Sequence, residues 1–227
     1  MYVFYLEGNI GSGKSTFIQF LQDYINKNKL NAEVLLEPVE DWQNTKDKDG
    51  VSILHHYYQD QKKMAFPFQM NAFISRVDEI VEKIKTSKAK ILFVERSVLT
   101  DKNVFLQLNY DLGNISDIEY TIYNKWFDTL CKHFDIKHNG IVYIKTDYNI
   151  CHQRIKKRDR SGEETIPIDY LEKLEVYHDN WILENWNNLI TINSNENFYD
   201  NTDLLTKEIE KIFSFIDKME EERVKFY

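Results

Sequence analysis

Five short apolar runs punctuate the chain, at Val3–Leu6, Ala32–Leu36, Ile91–Val94, Ile141–Lys145 and Leu189–Ile192. Each is too short for a stable helix and is bounded by polar or glycine-containing stretches, the pattern of buried strands. The longer segments between them repeat apolar residues at helical spacing, as in Phe17, Phe20, Leu21, Tyr24 and Ile25, then Phe73, Ile74, Val77, Ile80, Val81 and Ile84. Ile118, Ile122, Trp126, Phe127 and Leu130 mark a third helix within residues 115–134. Its aromatic stripe is most simply core, and a dimer face is the sharper reading. A last amphipathic helix is predicted over Thr202–Glu222, with Leu204, Leu205, Ile209, Ile212, Phe213 and Ile216 on its apolar side. Short strands alternating with helices predict an α/β fold with a five-stranded parallel sheet flanked by helices on both faces.

The chain has 227 residues, 42% of them hydrophobic, which is enough for a substantial core. Seven glycines and three prolines leave little material for a flexible linker, so residues 1–227 are expected to form a single domain. With 37 acidic against 29 basic residues the net charge is −8, and a global field that attracts nucleic acid or anionic lipid is excluded. No run approaches the roughly 18 to 20 apolar residues of a membrane span. Neither nucleic acid nor membrane is therefore an expected partner. Cys131 and Cys151 make no scaffold or CxxC pair, and the six histidines show no metal-ligand spacing. The run Met1–Leu6 is too short for a signal peptide and meets Glu7 without an Arg-rich or Ser-rich leader, so a cytoplasmic location is expected.

Gly8-Asn9-Ile10-Gly11-Ser12-Gly13-Lys14-Ser15, followed by Thr16, matches the Walker A pattern between the first strand and a helical stripe. Such a loop wraps backbone N–H groups around a polyphosphate at the positive end of a helix. Lys14 would bridge the β- and γ-phosphates of ATP, and Ser15 would ligate Mg²⁺. The loop alone does not separate a switch, a motor and a small-molecule kinase. Asp47-Lys48-Asp49-Gly50 fits the GTPase pattern DxxG in letters only, because it lies in a polar loop.

Glu37 follows the second strand and Glu95-Arg96 ends the third, so both emerge at the carboxyl edge where α/β enzymes bind ligands. Glu37 could accept the proton of an attacking hydroxyl, Glu95 could hold Mg²⁺, and Arg96 could meet phosphate charge or orient Glu37. A helix-capping Glu37 and a surface Glu95–Arg96 ion pair are the plainer alternatives. Arg154, Lys156, Lys157, Arg158 and Arg160 place five cations within seven residues of an acidic chain, a cluster suited to clamping a transferring phosphoryl group as a lid.

Together these residues resemble the deoxyribonucleoside kinase family, the group containing deoxycytidine, deoxyguanosine and insect multisubstrate kinases. The resemblance runs from Tyr5 to about Phe198. It is carried by residues 7–16, Glu37-Pro38-Val39-Glu40-Asp41-Trp42, Pro67-Phe68-Gln69, Glu95-Arg96-Ser97 with Asp101 and Phe105, and Pro167-Ile168-Asp169-Tyr170-Leu171. It implies a P-loop kinase fold, ATP and Mg²⁺ as cofactors, a deoxynucleoside substrate, a homodimer built from helices, and feedback inhibition by a deoxynucleoside triphosphate. By resemblance Glu37 is the general base, Gln69 bonds the base edge, Phe105 stacks on the base, and Trp42, Leu54 and Phe68 line the pocket. Tyr58 and Glu163 would hold the sugar 3′-hydroxyl. Arg154, Arg158 and Arg160 fall on the family's lid, here about residues 154–166, and Glu196-Asn197-Phe198 resembles its adenine loop. Gly162 departs from relatives that carry an acid there, so the lid's acidic pair here would be Glu163 and Glu164, either of which could meet the sugar. The three prolines, Pro38, Pro67 and Pro167, all lie in matched segments and suit fixed loop geometry at the pocket.

Arg76 lies two helical turns after Gln69, and Asp101 falls in the loop after the third strand. Thymidine-preferring relatives resemble one another in apolar or small residues at these positions, so the Arg–Asp pair points to deoxycytidine or a purine deoxynucleoside. A thymidylate kinase-like enzyme is the nearest rival, but Leu36-Glu37-Pro38-Val39-Glu40-Asp41 lacks the arginine of the R-E-P-G-G-T type and adds carboxylates that repel an acceptor phosphate. A regulatory P-loop ATPase is the rival from another class.

Overall fold

The computed structural model describes residues 1–158, 163, 166–198 and 201–225. Five strands, β1 (Tyr2–Glu7), β2 (Ala32–Leu35), β3 (Ile91–Glu95), β4 (Gly140–Lys145) and β5 (Leu189–Asn193), form one sheet in the order β2-β3-β1-β4-β5. All neighbouring pairs are parallel. Alternate residues of a strand face opposite sides, and the core follows that rule. Phe4 and Leu6 of β1, with Ile91 and Phe93 of β3, pack among Phe17, Leu21, Ile209 and Ile212. Val3 and Tyr5, with Leu92 and Val94, pack instead among Phe73, Val77, Tyr123 and Phe127. A sheet buried on both faces has no polar side to alternate with, which explains why its strands read as continuous apolar runs.

The first face is covered by α1 (Lys14–Asn28) and α10 (Thr202–Lys225). The second is covered by α4 (Gln61–Thr86) and α7 (Asp117–Phe134), with α2 (Val39–Asn44) and α3 (Ile53–Gln59) near the acceptor end. Beyond β4 lie α8 (Tyr148–Arg158) and α9 (Ile168–Asn185), which pack on each other through Ile155, Leu171 and Leu174. The short helices α5 (Val98–Thr100) and α6 (Gln107–Asp111) flank a six-residue π-helical segment, Asp101–Leu106.

Several expectations need correction. Leu36 is 55% exposed and lies outside β2, so one residue separates Glu37 from the strand. Leu204 is also exposed, because the buried stripe of α10 runs through Leu205, Ile209, Ile212 and Ile216 at steps of four, three and four. Pro67 sits inside α4 and not in a loop. The aromatic helix α7, opened by a Ser116–Glu119 capping box, divides its stripe. Tyr123 and Phe127 are core against Phe73, whereas Ile118 and Trp126 are 73% and 51% exposed.

Close approach explains the glycine that opens β4. A Cβ on Gly140 would lie 2.6 Å from the buried Phe4 ring, with the Asn188 carbonyl oxygen 3.0 Å away. Among the described residues no helix is long and apolar enough to cross a membrane.

Candidate active site

The carboxyl ends of β1, β2 and β3 open into one cleft of about 930 Å³. The strand order places β2 and β3 on one side of β1 and β4 and β5 on the other, so the loop after β1 lies where ligands enter such sheets. That loop, residues 8–13, cannot carry side chains at its tight points. A Cβ on Gly8 (φ +149°) would come within 2.5 Å of the Ile144 carbonyl oxygen, and one on Gly11 (φ +78°) within 2.6 Å of the Cys151 carbonyl oxygen. Three donors pin the Ser12 carbonyl: Thr146 Oγ1 at 2.9 Å, Ser194 Oγ at 3.1 Å and Arg154 Nη1 at 3.1 Å. Asn9 donates to the Leu171 carbonyl at 2.8 Å, which ties the same loop to α9.

Lys14 turns its ammonium group back onto the carbonyls of Gly8 and Asn9, at 2.9 and 2.8 Å. Burial and then the neighbouring Arg96 push its pKa down to about 7, against the pull of Glu37 and Glu95. Ser15 donates to Glu95 Oε1 at 2.7 Å, and the other oxygen of Glu95 accepts the backbone N–H of Glu37 at 3.3 Å. Among the described residues no group of three or more His, Cys, Asp or Glu could hold a metal by itself. Hard oxygens from Ser15 and Glu95 nonetheless fit Mg²⁺, which keeps waters and substrate phosphates as its remaining ligands.

The acceptor side is a buried charge chain. Arg76, from α4, bonds Asp101 through Nη1 and Glu37 Oε1 through Nη2. Arg96 Nε reaches the same Glu37 oxygen at 3.0 Å. Burial alone would neutralise Glu37, yet Arg96, Arg76 and Lys14 overcome it and hold its pKa near 2. Asp101 goes the other way: burial lifts its pKa to about 6 despite Arg76, and its Oδ2 has no hydrogen-bond partner among the described residues. Asp101 lies not in a loop but at the start of the π-helical segment. Asp101 and Phe105, four residues apart on this segment, both face the cleft.

Trp42, Leu54, Tyr58, Phe68, Gln69, Phe105 and Glu163 all line the cleft. Gln69 is buried with no side-chain hydrogen bond to a described residue. Trp42 is fixed by an Nε1 bond to Ser75 at 2.9 Å, with the Arg76 guanidinium 4.8 Å above its ring and Phe68 edge-on at 5.5 Å. Glu163 accepts from Arg158 Nε at 3.1 Å. Ile10, Gly11, Ser12, Gly13, Thr16, Asn197 and Phe198 line the phosphate end.

Gly8, Asn9 and Glu196 do not line the cleft; the first two serve Lys14, and Glu196 offers its backbone carbonyl to Arg154 at 3.0 Å. Arg154 also lines the cleft, and its guanidinium donates to the carbonyls of Ser12, Ser194 and Glu196, which buttresses the loop. Arg160, Gly162 and Glu164 lie outside the described residues. Composition and spacing missed three features: the buried Tyr57–Tyr170 hydroxyl pair at 2.9 Å, Glu7 beneath the loop, and His178 behind Arg96. Tyr57 stood beside the assigned Tyr58, Tyr170 within the matched Pro167–Leu171 segment and Glu7 at the head of the matched residues 7–16, but His178 carried no local signal.

Fold and site define a P-loop phosphotransferase with a carboxylate-containing, aromatic-walled cleft beside the phosphate loop. A sequence model of the deoxynucleoside kinase family matches residues 4–221, and the chain belongs to that family. It is 35% identical over 219 residues to the probable deoxycytidine kinase of fowlpox virus (strain NVSL), covering 94% of this chain and 88% of that one. To the deoxycytidine kinase of Homo sapiens it is 32% identical over 237 residues, covering 92% and 90%. The mitochondrial thymidine kinase 2 of Homo sapiens is 29% identical over 179 residues, covering 79% and 63%.

Burial holds the Lys14 pKa at about 7, and the group must become charged when phosphate oxygens surround it. Triphosphate binding at about pH 8 should therefore take up protons, approaching one per site, and at about pH 6 it should take up almost none from this group. Calorimetric titrations at the higher pH should give different enthalpies in two buffers of unlike ionisation enthalpy, and equal values would refute the assignment.

Proposed function

We propose that this protein transfers the γ-phosphoryl group of ATP to the 5′-hydroxyl of a deoxyribonucleoside, with deoxycytidine or a purine deoxynucleoside preferred to thymidine. The observation that carries the reading is the ionised Glu37, held between Arg76 and Arg96 in the cleft that also contains the phosphate loop. Glu37 accepts the hydroxyl proton. Its low pKa makes it a weak base, which suits a loose phosphoryl-transfer transition state in which the nucleophile is deprotonated late. Arg96 orients Glu37 and meets charge on the transferring group, while Lys14 and the loop N–H groups hold the polyphosphate. Mg²⁺, held by Ser15 and Glu95, would supply charge neutralisation at the β- and γ-phosphates. Tyr58 and Glu163 hold the 3′-hydroxyl, and Arg158 closes on the phosphates from α8. A nucleotide acceptor is disfavoured because Glu37 and Glu95, beside the position of the 5′-hydroxyl, would face its phosphate.

Base choice rests on Asp101 and Arg76. The unpartnered oxygen of Asp101 suits an exocyclic amine, as in cytosine or adenine, and repels the O4 of thymine. Gln69 bonds the base edge, Phe105 stacks on the base, and Trp42, Leu54 and Phe68 enclose it. Two of the relatives are named for deoxycytidine, which makes it the first substrate to test. The exposed stripe Ile118, Ile122 and Trp126, one helical turn apart, supports a homodimer through α7. The continuity of acceptor cleft and phosphate loop also favours end-product inhibition by a deoxynucleoside triphosphate that competes with both substrates.

Four outcomes are expected. Glu37→Gln should lower kcat by about 10² to 10⁴ with much less effect on nucleoside binding, and near-normal kcat would eliminate it as the base. Deoxycytidine or a purine deoxynucleoside should exceed thymidine in kcat/KM by roughly 10- to 150-fold, from charged hydrogen bonds of about 1.5 to 3 kcal/mol. Arg76→Met with Asp101→Ala should narrow or reverse that order in a steady-state panel of four deoxynucleosides, and thymidine as the best substrate of the unmodified protein would refute it. Trp126→Glu should halve the sedimenting mass, whereas a monomeric unmodified protein would refute the dimer.

A further inference from the structure

We propose that His178, on α9, is a positioning residue that holds the Arg96 guanidinium in its working orientation. The inference rests on the functional reading above and extends it to a side chain that does not line the cleft.

His178 is fully buried, and each ring nitrogen has one partner. Nδ1 lies 2.6 Å from the Leu174 carbonyl oxygen, and Nε2 lies 3.4 Å from Nη1 of Arg96. The partners themselves decide the tautomer. A carbonyl oxygen only accepts, so Nδ1 carries the proton; a guanidinium only donates, so Nε2 presents its lone pair. Burial and then the positive charge of Arg96 keep the ring neutral, with its pKa well below the ordinary histidine value. A charged ring would have no lone pair for Arg96.

The other restraints on Arg96 leave one degree of freedom for His178 to remove. Nε is committed to Glu37 at 3.0 Å, and the Phe105 ring lies 4.7 Å from the guanidinium carbon, which sets the plane. Phe105 in turn meets the His178 ring edge-on at 6.0 Å. Rotation about the Nε side is then stopped by the Nη1–His178 contact. Nη2 bonds no described protein group and is left for phosphate oxygens. Because the 3.4 Å contact is long, its role is orientation, and its loss should appear in the transition state more than in nucleoside binding.

The test compares His178→Leu, which removes the acceptor, with His178→Gln, whose amide oxygen can replace Nε2. The expected result is a fall in kcat of about 10- to 100-fold for the Leu variant at a nucleoside Kd within about threefold of the unmodified protein, and retention of most of kcat by the Gln variant. An unchanged kcat in the Leu variant, equal losses in two folded variants, or a loss confined to nucleoside Kd would overturn it. ¹⁵N NMR of the resting protein, with the His178 signal identified by its absence from His178→Gln, supplies a readout independent of turnover. The Nδ1–H tautomer is expected at neutral pH, and an Nε2–H tautomer or a charged ring would overturn the proposal. Absence of deoxynucleoside-dependent ATP consumption in the unmodified protein would instead overturn the functional reading, and the tautomer would then decide His178 by itself.

Discussion

The chain of buried charges Asp101–Arg76–Glu37–Arg96 is the constraint around which the acceptor site is organised. Each ion removed from water costs several kcal/mol, and such a chain persists only when every charge has a partner. Arg76 supplies two of those partnerships at once, from a helix that also forms one wall of the core. A single guanidinium thus couples the carboxylate proposed to accept a proton with the carboxylate proposed to read the base. Substitution at Arg76 should therefore disturb both functions, and the effects should not add.

Arg96 is placed at a backbone cost. It has φ +67°, a left-handed conformation that costs a residue with a side chain on the order of 1 to 3 kcal/mol. The end of β1 holds both sides of that turn: the Leu6 carbonyl accepts the Arg96 N–H at 2.9 Å, and Glu7 Oε1 accepts the Ser97 N–H at 2.9 Å. Glu7 is fully buried, with its pKa raised chiefly by desolvation, and it sits immediately before the phosphate loop. The strand that launches the loop therefore also sets the strained arginine, so phosphate-binding and acceptor-side groups share one rigid origin. The contacts of Ser12 with the ends of β4, β5 and α8 close the other side of the cleft.

The sheet was legible from residue order because burial on both faces demands uninterrupted apolar strands, and all five lie within a residue or two of their expected bounds. The phosphate loop was equally legible, since its glycines are required by local geometry and its position by a strand–loop–helix context. Glu37, Glu95 and Arg96 could be placed at one edge by strand polarity alone. That position also suggested their candidate roles, beside the plainer capping and ion-pair alternatives, and family resemblance then chose among them.

Local pattern did not reveal which polar groups meet across the fold. Arg154 reads as one cation of a cluster, but its partners Ser12, Ser194 and Glu196 are 142, 40 and 42 residues away, and only packing turns it into a buttress. His178 lies 82 residues from Arg96, with nothing in its neighbours to mark it. Asp101 looked like a loop residue because a π-helical turn has the composition of its flanks and no signature of its own. On α7, helical period identified the stripe but not which part of it the core would cover, because a single amphipathic pattern serves burial and association alike. Secondary structure and the phosphate loop follow from interactions over a few residues, which a linear chain displays. The electrostatic state of Glu37, Asp101 and His178 depends on charges brought together from distant segments and on the water excluded around them, which only the tertiary structure decides.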